Sequence, residues 1–175
     1  MADEEQGAGG NGAGGNGAGG NSFQPQVSIL AQYVKDLSVE NPSAPQVYSW
    51  QVQPNLDVQF NLNVQDAGDN VHEVTLKFDI SARSENGVHF VVDLSYAGLF
   101  AIQNVPQDAL SPFLLIEAPR LLFPFARQVI SEAVSNTGFP PLMLDPIDFA
   151  GAYVAQAEAA QQSGSGNGNG DPSET

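Results

Sequence analysis

The chain has 175 residues, with 20 aspartates and glutamates against 5 lysines and arginines, and no cysteine. Its length suits one domain. Its formal net charge of −15 argues against nucleic acid or an anionic membrane as partners, because phosphates bind clustered basic side chains. An acidic surface instead favours a basic partner, and the lack of thiols excludes disulfides and thiolate metal sites.

Composition divides the chain into a body and two tails. Residues 7–21 repeat GAGGN three times, and the end reads SGSGNGNGDPSET. Such segments have too little apolar surface to order themselves, so we predict disordered tails at 1–22 and 162–175 around one domain at 23–161. The N-terminus is acidic, and no apolar run of signal or transmembrane length follows. We therefore expect a cytoplasmic protein that is not inserted into a membrane.

Four segments of the body alternate apolar and polar residues, which predicts strands with one buried face. Their apolar sets are Val27, Ile29, Ala31, Tyr33, Leu37 and Val39; Leu56, Val58, Phe60, Leu62 and Val64; Val74, Leu76, Phe78, Ile80 and Ala82; and Val88, Phe90, Val92, Leu94 and Tyr96. Asn86-Gly87 and the stretch QDAGDN predict hairpin turns, so strands two to four form an antiparallel meander. The connection NPSAPQVYSWQVQP, with three prolines, predicts a crossing at the edge of the sheet.

After the fourth strand the apolar residues adopt a helical period. A helix is predicted from Pro119 to Thr137, ended by Gly138. Its apolar stripe is wider than one sheet face needs, which indicates contact with another subunit. A second helix is predicted to open with Asp145 as N-cap and Pro146 at its first position. The whole predicts an α+β fold, with a four-stranded antiparallel sheet and helices packed on one face.

The face of the sheet away from the helices is predicted to be polar and mostly acidic. It carries Asp36, Ser38, Glu40, Asp57, Gln59, Asn61, Glu73, Thr75, Lys77, Asp79, Asp93 and Ser95. Catalytic equipment is absent from the sequence. The two histidines, His72 and His89, have no companion at metal-ligand spacing, and no nucleophile or phosphate-loop motif occurs. We therefore expect neither an enzyme nor a metal or cofactor site.

Several stretches resemble the successive blocks of the SecB family of bacterial export chaperones. They are YVKDLSVENPSAP, FVVDLSYAGLFAI, LLFPFAR and GFPPLMLDPIDFAGAYVAQ, and the resemblance runs from about Ser28 to Gln156. It implies a homotetramer, arranged as a dimer of dimers, that holds unfolded preproteins in the cytoplasm. The family passes them to the SecA ATPase of the export translocon and uses no ATP, metal or cofactor itself.

The resemblance also implies site residues. The family's docking site for the basic, zinc-bearing C-terminal tail of SecA falls on Asp36, Glu40, Val91 and Asp93, here called the docking set. The chain departs from the family pattern at two of these positions, since the usual leucine is Val91 and the usual glutamate is Asp93.

Client binding is implied for the crossover connection and the second helix. The predicted groove residues are Tyr48, Trp50, Val52, Phe139, Leu142, Leu144 and Phe149. The family's tryptophan more often stands at the position of Val52. Because two residues make one strand repeat, we expect the Trp50 ring to face the same groove. Two alternatives stay open, namely a SecB-like chaperone of a toxin-antitoxin system and a carrier of a small apolar ligand.

Overall fold

The computed structural model describes residues 24–164, which form one antiparallel sheet and a helical layer. The strands are β1 (Gln26–Glu40), β2 (Asn55–Gly68), β3 (Val71–Ser84) and β4 (Gly87–Gln103). The helices are α1 (Gln107–Pro112), α2 (Ala118–Asn136) and α3 (Phe149–Gly164), with a π-helical segment (Phe113–Glu117) joining α1 to α2. A four-stranded antiparallel sheet with a helix packed on it confirms the α+β prediction. The predicted tails lie outside the described residues, except that α3 runs to Gly164.

The strand order is β1-β4-β3-β2, and every neighbouring pair is antiparallel. Strands β2 to β4 form the predicted meander, whereas β1 pairs with β4. The connection from β1 to β2, which includes a 3₁₀ turn (Gln46–Ser49), therefore passes from one edge of the sheet to the other. Asp69 and Asn70, both with positive φ, make the turn after β2. The turn after β3 lies one residue earlier than predicted, because Ser84 pairs with Gly87.

The core lies between the sheet and α2. Fully buried side chains of β3 and β4 pack against fully buried residues of the helix; they include Leu76, Phe78, Leu94, Phe100, Leu122, Ala126 and Ile130. At Gly98 in β4 the helix approaches so closely that an added Cβ would lie 2.7 Å from Leu122 Cδ2. Glycine at that position therefore lets α2 lie directly on the sheet.

Two bulges in β1 make the predicted single apolar row wrong. The register shifts between Ile29 and Ala31 and again between Val34 and Asp36. Each bulge moves the following residues to the opposite face. Ala31 and Tyr33, which oppose Leu99 and Ala97, consequently lie on the outer face, the face turned away from the helices.

Both predicted helices start at other positions in the structure. The first helical run begins at Gln107, twelve residues before Pro119, and ends as predicted, with Gly138 at φ +87°. The predicted cap of the second helix is wrong. Asp145 and Pro146 precede that helix, and Asp148 Oδ1 accepts a hydrogen bond from the Gly151 amide at 2.9 Å. Asp148 is therefore the N-cap of α3.

The helical run Gln107–Asn136 is long and apolar enough to cross a membrane by length and composition alone. Its apolar character has another explanation in the fold. Leu122, Ala126 and Ile130 are spaced four residues apart and are completely buried, as expected of an amphipathic helix on a sheet. The opposite side of α2 exposes Leu121 and Phe125.

Candidate functional site

The docking set lies on the outer face of two neighbouring strands. In the register of β1 with β4, Glu40 opposes Val91, Ser38 opposes Asp93, and Asp36 opposes Ser95. Directly opposed residues of an antiparallel pair share a face. The structure therefore brings the four predicted positions together, with the side chain of Val91 among carboxylates.

The acidic surface continues beyond the docking set onto β3 and β2. Asp79 opposes Asp93, and Gln59 opposes Asp79. A hollow of about 130 Å³ is lined by Asp57, Asp79, Val91 and Asp93, among others. Alternation along the strands placed Asp57 and Asp79 on the correct face. Their closeness to Asp93 follows from the pairing register of β3 with β4, in which Asp79 opposes Asp93; the sequence predicted the two strands as neighbours but not this register.

Asp79 changes the titration of Asp93. A hydrogen bond with the Asp79 carboxyl raises the pKa of Asp93, and burial together with the negative charge of Asp79 raises it further. Lys77 opposes this effect, with its Nζ 3.7 Å from Asp79 Oδ1. The Asp93 carboxyl therefore holds its proton more tightly than an isolated aspartate does.

Glu73, a further acidic residue of the outer face, is neutralised by Lys35. Lys35 Nζ lies 2.5 Å from Glu73 Oε1, and the Tyr33 hydroxyl donates to the same carboxylate. Both contacts lower the pKa of Glu73, and the carboxylate in turn raises the pKa of Tyr33 to about 12. Within residues 24–161, by contrast, Asp36, Glu40 and Asp93 form no ion pair. Glu73 and Asp79 are thus each paired with a lysine, whereas the carboxylates of the docking set are not.

An apolar hollow of about 480 Å³ lies between the crossover connection, the end of the sheet and the segment after α2. Its lining includes Tyr48, Trp50, Val52, Phe139 and Leu142, five of the seven predicted groove residues. Trp50 and Val52 face the same space, as expected. We call this hollow the aromatic pocket.

Aromatic contacts shape the wall of the aromatic pocket. The Trp50 ring meets His89 edge-on, with centroids 5.0 Å apart, and the Phe139 ring lies 5.4 Å from Phe90 and 5.8 Å from Tyr48. His89 is buried, and its Nε2 is 2.9 Å from Ser84 Oγ. His89 is therefore part of the lining of the aromatic pocket.

A bulge in β4 explains why sequence alternation missed His89. Phe90 pairs with Ala82 but Val88 pairs with Arg83, which leaves His89 as an extra residue in the strand. The bulge also moves Val88 to the outer face, so its predicted place in the buried row is wrong. No feature of the alternating pattern marks a bulge at this position.

Leu144 and Phe149 lie outside the aromatic pocket and are both core residues, with 7% and 3% of their surface exposed. The Leu144 carbonyl accepts a hydrogen bond from Arg127 Nη1 at 3.3 Å. The Phe149 ring packs edge-on against Phe60 at 5.8 Å. Each residue nevertheless lines a neighbouring hollow of about 340 Å³.

These three hollows follow the helix-facing side of β2 in series. The aromatic pocket shares Leu56 with the hollow at Leu144, which in turn shares Phe60 with the hollow at Phe149. The residues of β2 that line them extend from Leu56 to Leu62, about 20 Å at the usual rise of a strand. We call the whole series the apolar groove. It has the shape of a trough along an edge strand.

Comparison with known protein families shows which family the chain belongs to. The family model for SecB, described as preprotein translocase subunit SecB, matches residues 20–160. The chain belongs to the SecB family. The protein-export protein SecB of Zymomonas mobilis is 60% identical over 134 residues, which cover 77% of this chain and 82% of that relative. The protein of the same name from Sphingopyxis alaskensis is 55% identical over 137 residues, covering 78% and 80%.

A solved structure shares the fold of this SecB-family chain. It is the SecB-like chaperone Rv1957 of Mycobacterium tuberculosis in complex with a ChAD peptide from the Rv1956 HigA1 antitoxin. The match has a TM-score of 0.57 and 16% sequence identity, and it covers 69% of this chain and 90% of that one. At this identity the comparison establishes the fold.

Proposed function

We propose that this SecB-family chain is a cytoplasmic chaperone that holds preproteins unfolded and delivers them to the SecA ATPase. It does so without ATP, a metal or a cofactor of its own. The observation that carries the proposal is the apolar groove, which is open and follows an edge strand. An extended polypeptide can lie along such a trough and also contact its main chain. The names of the curated relatives, which refer to protein export, support the same role.

The groove argues against a carrier of one small apolar ligand. Such a ligand is usually enclosed by a single cavity that buries most of its surface. Here the lining residues are spread over three adjoining hollows, and Tyr48 at one end of them is 56% exposed. The shape therefore favours a polymer as the bound molecule.

A refolding assay tests the proposed function. Purified chain is added without ATP to an unrelated denatured protein as the denaturant is diluted. We expect the rates of aggregation and refolding to fall as the concentration of the chain rises. Once all client molecules are bound, adding more chain should change the rates no further. If the client aggregates and refolds at the same rates with and without the chain, whichever of the two is in excess, the proposal is contradicted.

SecA is the proposed acceptor because of the docking set. Its unpaired carboxylates suit the basic, zinc-bearing tail that SecA presents, and Val91 offers apolar contact among them. Opposite charges raise the rate of encounter as well as the affinity. A chaperone that had no need to meet SecA would gain nothing from this arrangement.

Service to a toxin-antitoxin system is the second candidate function. The solved structure with the same fold is bound to an antitoxin peptide, and a peptide would also suit the groove described here. That protein is 16% identical to this chain, whereas relatives named for export are 55% and 60% identical. Export is therefore the preferred proposal, and binding to SecA separates the two.

We further propose a homotetramer, a dimer of dimers. The outward side of α2 exposes Leu121 and Phe125, and β1 is an edge strand that exposes Leu30 and Val34. Exposed apolar residues along a helix and an unpaired edge both favour burial against another copy. Light scattering should give about four times the chain mass of 18.4 kDa. A monomer at micromolar concentration would contradict this assembly.

Docking should depend on pH through Asp93. Its raised pKa means that Asp93 stays protonated, and uncharged, to higher pH than an ordinary aspartate. Since the cationic tail needs the carboxylate, its affinity should increase as the pH rises through that raised pKa. Asp79→Asn removes the neighbouring negative charge, so the increase should begin at lower pH than in the wild type.

Anisotropy of a labelled SecA-tail peptide, measured from about pH 4, near the ordinary aspartate pKa, to about pH 8, checks this shift. Titration of the peptide itself is common to both proteins and cancels in their ratio at each pH. Superimposable pH profiles for the wild type and Asp79→Asn would contradict the assigned role of Asp79.

A further inference from the structure

Lys35 is the basic residue of β1, and it directly precedes Asp36 of the docking set. It is the extra residue of the second bulge, because the register of β1 with β4 shifts between Val34 and Asp36. Its ammonium group pairs with Glu73 on the outer face, the face that also carries Asp36. A cation and a docking carboxylate are therefore neighbours along the chain and lie on one side of the sheet.

Glu73 draws the Lys35 ammonium group across the sheet. Strands β1 and β3 both flank β4, so Glu73 belongs to a strand two spacings away, at about 10 Å. Lys35 Nζ nevertheless lies 2.5 Å from Glu73 Oε1. Within residues 24–161 Asp36 forms no ion pair, although it is exposed and adjacent to the lysine. The charge of Lys35 is thus offset by a carboxylate outside the docking set.

Two hydroxyl groups hold the Glu73 carboxylate in position for this pair. Tyr33 donates to Oε2 of Glu73, and Thr75 donates to Oε1 at 3.4 Å. Ala97 opposes both Tyr33 and Thr75 in the sheet, and it is completely buried. The Glu73 side chain is 13% exposed, whereas that of Lys35 is 46% exposed. The acceptor is therefore fixed, while the lysine has room to point elsewhere if the acceptor loses its charge.

We propose that Glu73 is a positioning residue for docking, which holds Lys35 away from Asp36 and so leaves the Asp36 carboxylate free for a cationic partner. Without the charge of Glu73, the nearest carboxylate along β1 is that of Asp36. An ammonium group paired there competes with the cations of the partner for the same oxygens. This inference rests on the proposed function, because it concerns the site that SecA would occupy.

The test measures binding of a labelled, zinc-loaded synthetic peptide of the SecA C-terminal tail to the full chain. Anisotropy is recorded at about 0.15 M salt, where charges more than about 8 Å apart are largely screened. Glu73→Gln should bind the peptide about threefold more weakly than the wild type, a loss within the range of one exposed ion pair. Glutamine keeps the shape of the side chain and can still accept from the Tyr33 hydroxyl, so the sheet should fold normally.

A second substitution separates competition by Lys35 from a simple loss of charge. If the lysine competes for Asp36, then Glu73→Gln should have almost no effect on binding in a chain that already carries Lys35→Gln. A simple loss of negative charge predicts instead the same weakening with and without the lysine, since independent effects add. Equal losses in the two backgrounds would overturn the inference.

Two single variants serve as controls. Tyr33→Phe removes a hydroxyl from the cluster but retains the ion pair of Lys35 with Glu73, so it should bind the peptide as the wild type does. Asp69→Asn removes one negative charge from the turn before β3, where asparagine tolerates the positive φ, and it should also bind normally. If either control weakens binding as much as Glu73→Gln does, the packing of the cluster or the overall charge is responsible, and the inference is wrong.

The crystal structure of the Glu73→Gln variant gives a result that needs no peptide. It should place Lys35 Nζ within about 4 Å of an Asp36 carboxylate oxygen, the usual limit of an ion pair. A lysine that stays beside residue 73 or extends into solvent overturns the inference and leaves the proposed function standing. Wild-type chain that does not bind the peptide contradicts the proposed docking to SecA, and the inference falls with it.

Discussion

Replacing Asp36 and Glu40 together by alanine should weaken binding to SecA about tenfold, since each exposed ion pair contributes up to about 1 kcal/mol. Folding should be nearly unaffected. Both side chains are exposed on the outer face, and neither forms an ion pair within the part of the chain that the structure describes. Surface changes of this kind usually leave the free energy of unfolding within about 0.5 kcal/mol. Calorimetric titration with SecA, together with thermal unfolding, measures both effects.

A matched control separates the site from net charge. Asp108→Ala with Glu158→Ala removes the same two charges from α1 and α3, on the helical side of the sheet. This variant should bind SecA as the wild type does. Asp93→Lys, a single reversal within the docking set, should weaken binding as well. Equal losses in the docking variant and the helical control would show that overall charge, and not the docking set, governs the association.

Ionic strength offers an independent check of the same surface. The contact is between opposite charges near solvent, so wild-type affinity should fall as salt shortens the screening length. The double alanine variant has less charge to screen and should depend on salt less steeply. Parallel salt dependences would indicate that Asp36 and Glu40 make no contact with the partner.

The acidic outer face was predictable because it follows from alternation alone. Asp36, Glu40 and Asp93 fall on one side of their strands wherever the pleat is regular, and each lies in a regular stretch. The role of Asp79 was not predictable in this way. The sequence predicted β3 next to β4, but Asp79 opposes Asp93 only in the register that the paired sheet adopts, with its irregularity between Ala82 and Arg83.

Departures from the regular pattern caused most of the errors. The bulges in β1 and β4 misplaced Ala31, Tyr33 and Val88, because one extra residue exchanges the faces of a strand without altering composition. The cap of α3 was misplaced because Asp145 and Asp148 are equally suitable N-cap residues. Only the hydrogen bond from the Gly151 amide distinguishes them.

The apolar groove was predicted in part. The residues that line its aromatic pocket lie mainly in two stretches, 47–54 and 139–142, which contain five of the positions that the resemblance implied. Leu144 and Phe149 line the two adjoining hollows but lie mostly in the core. Burial and groove lining need the same side-chain chemistry, so sequence alone does not separate them. The packed structure does, because exposure differs between Tyr48 and Phe149.

Replacing Tyr48 and Trp50 together by serine should weaken capture of unfolded protein by at least about tenfold, because aromatic side chains that a bound partner covers usually carry a large share of the binding energy. The oligomer should remain intact. Both rings lie at the aromatic pocket, away from α2 residues Leu121 and Phe125 that we assign to assembly. Light scattering of the variant checks its mass, and fluorescence anisotropy of a labelled unfolded client measures its affinity.

Two control variants separate binding in the groove from a general effect of surface hydrophobicity. Tyr48→Phe with Trp50→Phe retains apolar rings at both positions and should restore most of the affinity that the serine variant loses. Val154→Ser removes an exposed apolar side chain of α3 that lies outside the groove lining, and it should bind clients as the wild type does. If the serine variant captures clients normally, these aromatic residues serve the local packing around His89 and Phe139, and clients must bind elsewhere. If Val154→Ser loses affinity to the same extent, capture depends on general surface hydrophobicity, and the groove has no special role.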